Sequence, residues 1–176
     1  MISPFEFKSP MLVLGGAKSG KSSLAEAIIE RLEPPFIYLA TAQVFDEEMQ
    51  KRVEQHQTRR NEHWETVECP ITLPDTLRNL SGKGHPVLLD CITLWLSNLL
   101  CFSSANPMEA VRDLNKSVAA ADHPLVIVSN EVGGGIVPEN ALAREFRDLA
   151  GTTNQMLAQT CATVILVTAG LPLKLK

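Results

Sequence analysis

Gly15-Gly16-Ala17-Lys18-Ser19-Gly20-Lys21-Ser22 match the pattern G-x-x-x-x-G-K-[ST] at every fixed position. A glycine-rich turn of this kind exposes backbone N–H groups. A helix beginning at its end aims the positive pole of its dipole at the same point, so turn and helix grip one anion together. In that arrangement Lys21 reaches the β- and γ-phosphates of a nucleotide, and the Ser22 hydroxyl is placed to ligate Mg²⁺. The competing reading is a chance match in an ordinary glycine-rich turn. The flanks oppose it, because Pro10-Met11-Leu12-Val13-Leu14 before the turn reads as a buried strand and residues 24–29 after it read as a helix.

Three further constellations could carry chemistry. Asp90 ends the apolar run Val87-Leu88-Leu89, where a carboxylate can hold Mg²⁺ opposite Ser22, or else cap the helix that follows. Over residues 46–60, Arg52, His56 and Arg60 recur every four positions, with Arg59 alongside. Such a stripe suits a polyphosphate, and neighbouring guanidinium groups favour the neutral imidazole, a competent nucleophile toward phosphorus. By composition alone, the same stripe also reads as a solvated charged face. The run Asn130-Glu131-Val132-Gly133-Gly134-Gly135-Ile136-Val137-Pro138 follows an apolar strand. Its glycines allow close approach of a ligand, and Asn130 and Glu131 sit where a water- or hydroxyl-positioning group would help phosphoryl transfer; a turn with a capping Glu fits equally well. His63, His85 and His123 form no ligand pair and are expected at the surface, while Trp64 and Trp95 read as core or interface aromatics.

These groups must be positioned by short apolar runs that alternate with helical patterns along the whole chain. Strands are expected over 10–14, 35–40, 86–90, 125–129 and 163–168, with a shorter one over 65–69. Helices are expected over 24–29, 46–60, 74–80, 93–102, 107–121 and 139–160, and the strand over 163–168 should close the sheet. Continuous apolar strands separated by helices imply an α/β fold with a parallel sheet covered on both faces. In such sheets ligands lie outside the carboxyl ends of the strands, so residues 15–22, Thr41, Asp90, Asn130 and Glu131 should line one crevice.

A length of 176 residues fits a single domain. The formal net charge of −4 gives no electrostatic case for a nucleic-acid partner. The first ten residues lack the basic start and apolar run of a signal peptide, and no apolar run is long enough to span a bilayer. Cys69, Cys91, Cys101 and Cys161 have no metal-site spacing and read as reduced thiols, most of them buried. A cytoplasmic protein without membrane insertion is the resulting expectation.

Taken together, the segments resemble one family, the bifunctional adenosylcobinamide kinase / adenosylcobinamide-phosphate guanylyltransferases of cobalamin biosynthesis. GGAKSGKS (15–22), YLATAQ (38–43), DEEMQKRVEQHQTRR (46–60), HWETVE (63–68), LLDCITLWLSNLL (88–100), SNEVGGGIVPEN (129–140) and FRDLAGTTNQ (146–155) run in the family's order. The phosphate loop is shared by many families; Arg52 to His56 and NEVGGGIVPEN are far more specific. The resemblance covers residues 11–176 and leaves residues 1–9 as a leader of unknown role.

The resemblance implies a RecA-like P-loop NTPase fold, a mostly parallel sheet with helices on both faces, assembled as a homotrimer. It implies phosphorylation of adenosylcobinamide with ATP or GTP, then transfer of GMP from GTP to adenosylcobinamide phosphate through a guanylylated histidine. His56 is the matching position, with Lys21 as its catalytic companion. The implied nucleotide contacts are Gly15, Gly16, Ala17, Lys18, Ser19, Gly20, Lys21, Ser22, Ala40, Thr41, Ala42, Gln57, Thr58, Arg59, Arg60, Glu68 and Asp90, with Mg²⁺ held by Ser22 and Asp90. A carboxylate at Glu68 could accept from guanine N1–H and the exocyclic amine, donors that adenine lacks at those positions. Gly134 and Lys18 depart from the family's usual larger apolar residue and Arg, leaving the backbone cradle and the charge in place. Two rivals stand beside this reading: a P-loop kinase of another small molecule, and a nucleotide-dependent switch without transfer chemistry.

Overall fold

The computed structural model describes residues 6–43 and 61–176. The strands are β1 (Met11–Gly15), β2 (Phe36–Ala40), β3 (Trp64–Glu68), β4 (Val87–Asp90), β5 (Leu125–Asn130), β6 (Thr163–Thr168) and β7 (Leu171–Lys174). The helices are α1 (Lys21–Ile29), α2 (Leu73–Arg78), α3 (Ile92–Phe102), α4 (Pro107–Ala119) and α5 (Ala141–Thr160). Among the described residues the strands form a seven-stranded sheet in the order β3-β2-β4-β5-β1-β6-β7. Every pairing is parallel except that of β6 with β7.

Alternation of side chains along each strand divides the core in two. Leu12, Leu14, Ile37, Leu39, Leu89 and Ile127 pack with α2, α3, α4 and α5 on one face. Met11, Val13, Tyr38, Leu88, Val126 and Val128 pack with Ala25, Ile28 and Ile29 of α1 on the other. A sheet buried on both faces explains why its strands read as continuous apolar runs rather than alternating ones. Trp95 is completely buried and donates its indole N–H to the carbonyl of Ile71 at 2.9 Å. Trp64 stacks at a tilt on Phe36 with ring centroids 5.0 Å apart.

Two expectations are corrected. The strand over 163–168 does not close the sheet, because β7 turns back beside β6. The reversal needs only Ala169 and Gly170, both with positive φ (52° and 77°), the backbone of a tight hairpin. β7 escapes the sequence pattern because it is short, exposed and interrupted by Pro172, which an edge strand tolerates. His123 is not at the surface: it is 3% exposed, and burial pushes its imidazole below the ordinary value. The apolar strand β5 begins two residues later and draws it inward.

Candidate nucleotide-binding active site

β1 ends at Gly15, and the chain turns over itself before α1 begins. A Cβ on Gly15 would lie 2.4 Å from Ser19 Oγ and 2.7 Å from the carbonyl oxygen of Val167, so no larger residue fits. Gly20 precedes α1 at φ 95°, and Lys18 at the loop's apex also has positive φ, 55°. The N–H of Gly170 donates to the Ser19 carbonyl at 2.9 Å, fastening the β6–β7 turn beneath the loop.

The start of α1 is unlike those of α4 and α5. Asn106 accepts from the N–H groups of Met108 and Glu109, and Asn140 accepts from that of Ala143, so those helices cap themselves. α1 has a glycine at its cap position, no side-chain cap and no acidic residue in its first turn. The positive end of its dipole and the N–H groups of Lys21 and Ser22 are left for an anion. Lys21 is 9% exposed, and its Nζ donates to the Gly16 carbonyl at 3.1 Å, which holds the ammonium group over the loop.

Because β5 lies between β1 and β4, the phosphate loop and Asp90 stand two strand spacings apart along one edge, about 10 Å. Asn130 ends the intervening strand, in register with Gly15, and the N–H of Glu131 donates to the Gly15 carbonyl at 3.1 Å. Glu131 Oε1 accepts from the N–H of Gly133 at 2.9 Å, so its carboxylate closes a local turn. The Asn130 amide donates to Thr93 Oγ1 at 2.7 Å.

A buried polar network underlies this edge. The Thr41 hydroxyl, fully buried, donates to the carbonyl of Cys91 at 2.7 Å and accepts from its N–H at 2.8 Å. Cys91 Sγ contacts Thr93 Oγ1 at 3.2 Å, and the Asn98 amide donates to the carbonyls of Thr41 and Pro70. Ser129 Oγ donates to Asn154 Oδ1 at 2.7 Å, and the Asn154 amide donates to the Asn130 carbonyl at 3.1 Å. Thr93, Asn98 and Asn154 had no signal in the sequence, since each lies within an ordinary helical pattern. Burial first, and the Asp90 charge second, push the Cys91 thiol up to about 11. Burial likewise pushes Cys69 and Cys161 up to about 12, so all three stay protonated and are poor nucleophiles at neutral pH.

The structure therefore brings together Gly15, Gly16, Ala17, Lys18, Ser19, Gly20, Lys21 and Ser22 with Asp90, Asn130 and Glu131. Ala40 ends β2, the next strand along the same edge, and Thr41 and Ala42 follow it, where the Thr41 side chain holds Cys91. Glu68 is exposed at the end of β3, in register with Ala40 and four strand spacings from β1, about 19 Å. His56, Gln57, Thr58, Arg59 and Arg60 lie outside the described residues.

Comparison with known proteins agrees with this geometry. The chain is similar to a type III secretion system ATPase of pathogenic bacteria, with a TM-score of 0.56 at 12% identity, over 90% of this chain and 50% of that one. It is 42% identical to the bifunctional adenosylcobalamin biosynthesis protein CobP of Pseudomonas aeruginosa, over 94% of this chain and 96% of that protein. It is 41% identical to the bifunctional adenosylcobalamin biosynthesis protein CobU of Salmonella typhimurium, over 94% of this chain and 99% of that protein. The family model described as cobinamide kinase / cobinamide phosphate guanyltransferase matches residues 11–175. With a phosphate loop at the end of β1, a carboxylate two strands away and this match over nearly its full length, the chain belongs to the cobinamide kinase / cobinamide phosphate guanyltransferase family of transferases.

Proposed function

We propose that this protein phosphorylates adenosylcobinamide with ATP or GTP and then transfers GMP from GTP to adenosylcobinamide phosphate. The observation that carries the reading is the uncapped start of α1 behind a closed glycine loop, facing Asp90 across β5, in a member of this family. In the kinase step the corrinoid's hydroxyl oxygen attacks the γ-phosphorus and the bond to the β-phosphate oxygen breaks. The nucleoside diphosphate leaves, and the hydroxyl proton passes to solvent. Lys21 and the N–H groups of α1 neutralise the charge that develops on the phosphoryl oxygens.

In the second reaction a ring nitrogen of His56 attacks the α-phosphorus of GTP and pyrophosphate leaves. A phosphate oxygen of adenosylcobinamide phosphate then attacks the same phosphorus, the P–N bond breaks, and adenosylcobinamide-GDP is released. Ser22, half-buried in the first turn of α1, and Asp90, half-buried at the end of β4, offer a hydroxyl and a carboxylate. Hard oxygen donors of this kind suit Mg²⁺, which would supply charge neutralisation on the nucleotide phosphates. Gln57, Thr58, Arg59 and Arg60 are assigned to the nucleotide beside His56, and Glu68 to the guanine edge. A single domain over residues 1–176, a homotrimeric assembly and a cytoplasmic location complete the proposal. Among the described residues no helix is long and apolar enough to cross a membrane.

The decisive test is incubation with Mg²⁺ and GTP labelled on the α-phosphate, followed by denaturation. Protein-bound label that survives alkali, is lost in acid and disappears in His56→Ala is the expected result. Label that persists in His56→Ala moves the nucleophile elsewhere. Absence of label despite GTP binding reduces the protein to one of its two rivals, a kinase or a switch.

A further inference from the structure

The loop after β5 exposes aliphatic side chains at the mouth of the nucleotide crevice. Among the described residues Val132, Ile136 and Val137 of the loop, with Leu142 in the first turn of α5, make up half of the large apolar side chains left exposed, and Ile136 is 97% exposed. Water-facing aliphatics gathered in one loop mark a surface that something covers. The loop is also held in place. Its root is bonded to Gly15, Glu131 closes its first turn, and the Arg144 guanidinium donates to the carbonyls of Pro138 and Glu139 at 2.9 and 2.6 Å.

Gly133 has a local cause, since a Cβ there would lie 3.0 Å from Glu131 Oε1, but the two glycines that follow have none. Neither Gly134 nor Gly135 has a positive φ, and a Cβ built on either would meet nothing within 4 Å. Gly15, by contrast, is demanded by two contacts within the chain. A run of glycines that neither turn geometry nor packing requires leaves open backbone for a ligand that approaches from outside.

We infer that this loop is the docking surface for the macrocycle of the corrinoid acceptor: Ile136 and Val137 lie against an apolar face of the ring, and the open backbone at Gly134 and Gly135 meets its peripheral amides. The inference rests on the cobinamide reading above. It commits to this occupant because the loop is continuous with the phosphate cradle. An acceptor whose hydroxyl or phosphate must reach a nucleotide held by residues 15–22 has to enter between β1 and β4, where the loop is rooted. A largely aliphatic wall with a few backbone donors and acceptors suits a large, amide-rimmed ring.

The test is steady-state kinetics on the full chain with Ile136→Ser and Gly135→Ala. Each substitution should raise the KM for adenosylcobinamide roughly tenfold. The KM for GTP should change by less than about twofold. Gly135→Ala guards against misfolding, because its methyl group enters open space and should leave Tm unchanged. Corrinoid-free labelling by GTP reports separately on the transferase reading. An unlabelled, inactive wild-type protein sinks that reading, whereas an active wild type with unaltered corrinoid KM in both variants overturns the loop alone. Dissociation of an oligomer by Ile136→Ser with unaltered KM would also overturn it, assigning the patch to a contact between copies.

Discussion

The hydroxyl of Thr41 and the backbone of Cys91 satisfy each other completely: one oxygen accepts from the Cys91 N–H and donates to the Cys91 carbonyl. This pair ties the loop after β2 to the loop after β4 at the residue next to Asp90. Thr41→Val preserves shape but leaves the Cys91 N–H buried and unpaired, while the Cys91 carbonyl keeps only the N–H of Trp95, at 3.3 Å. Loss of about 1–3 kcal/mol is expected, or a Tm lower by roughly 2–12 °C in a chain of this size. Thr41→Ser should restore most of it. A Thr41→Val protein as stable as wild type would show that the pair contributes nothing.

Lys21→Met removes the ammonium group from the phosphate loop while keeping its aliphatic stem. Both phosphorylation of adenosylcobinamide and self-guanylylation should fall by about 100-fold or more if, as proposed, both use the same cradle. EDTA should abolish both, and added Mg²⁺ should restore them. A Lys21→Met protein that keeps one activity intact would require a second nucleotide site.

The buried His123 gives stability a pH dependence of definite sign. Its Nε2 is buried and has no hydrogen-bond partner among the described residues, and desolvation lowers its pKa below the ordinary 6.5; Asp122, at 3.4 Å from Nδ1, opposes this only in part. Below pH 6.5 the unfolded chain therefore binds a proton that the folded chain resists. This contribution is complete above pH 6.5 and is lost as pH falls from there toward the folded-state value. Urea unfolding at pH 7.5 and 5.5 should show lower stability at the acidic value, with a smaller difference in His123→Gln. An equal difference in both proteins would exonerate His123.

Two glycines of the phosphate loop should behave oppositely. Gly15→Ala drives a methyl group into Ser19 Oγ and the Val167 carbonyl and should cost about 2–3 kcal/mol. Gly16→Ala meets nothing within 4 Å and should leave thermal stability unchanged. Calorimetry on the two single variants decides it; equal Tm values would mean that the turn relaxes more easily than its contacts imply.

Legibility in the sequence followed the range of the interactions. β1, β2, β4, β5 and β6 announce themselves as apolar runs because the sheet is buried on both faces. The phosphate loop was legible because glycine and lysine at fixed spacing do local work. The crevice was legible because parallel strands expose one common carboxyl edge. What stayed hidden depends on partners far along the chain. Asn98 looks like any helix residue until it reaches the carbonyls of Thr41 and Pro70, 57 and 28 positions earlier. His123 looks like a loop residue until β5 pulls it under. β7 defies pattern recognition because an exposed four-residue edge strand with a proline owes its pairing wholly to the Ala169-Gly170 turn.

The strand order also sets a timetable. β1 leaves the ribosome well before its two neighbours, β5 and β6, and Leu12 must wait for Val164, roughly 150 codons later, at about 5–20 residues per second. The Ser19 carbonyl finds its partner later still, in the N–H of Gly170. A nascent chain thus carries the whole glycine-lysine signature for many seconds before it has a framework to hold a nucleotide, and stalled or truncated products lacking β6 should be blind to GTP.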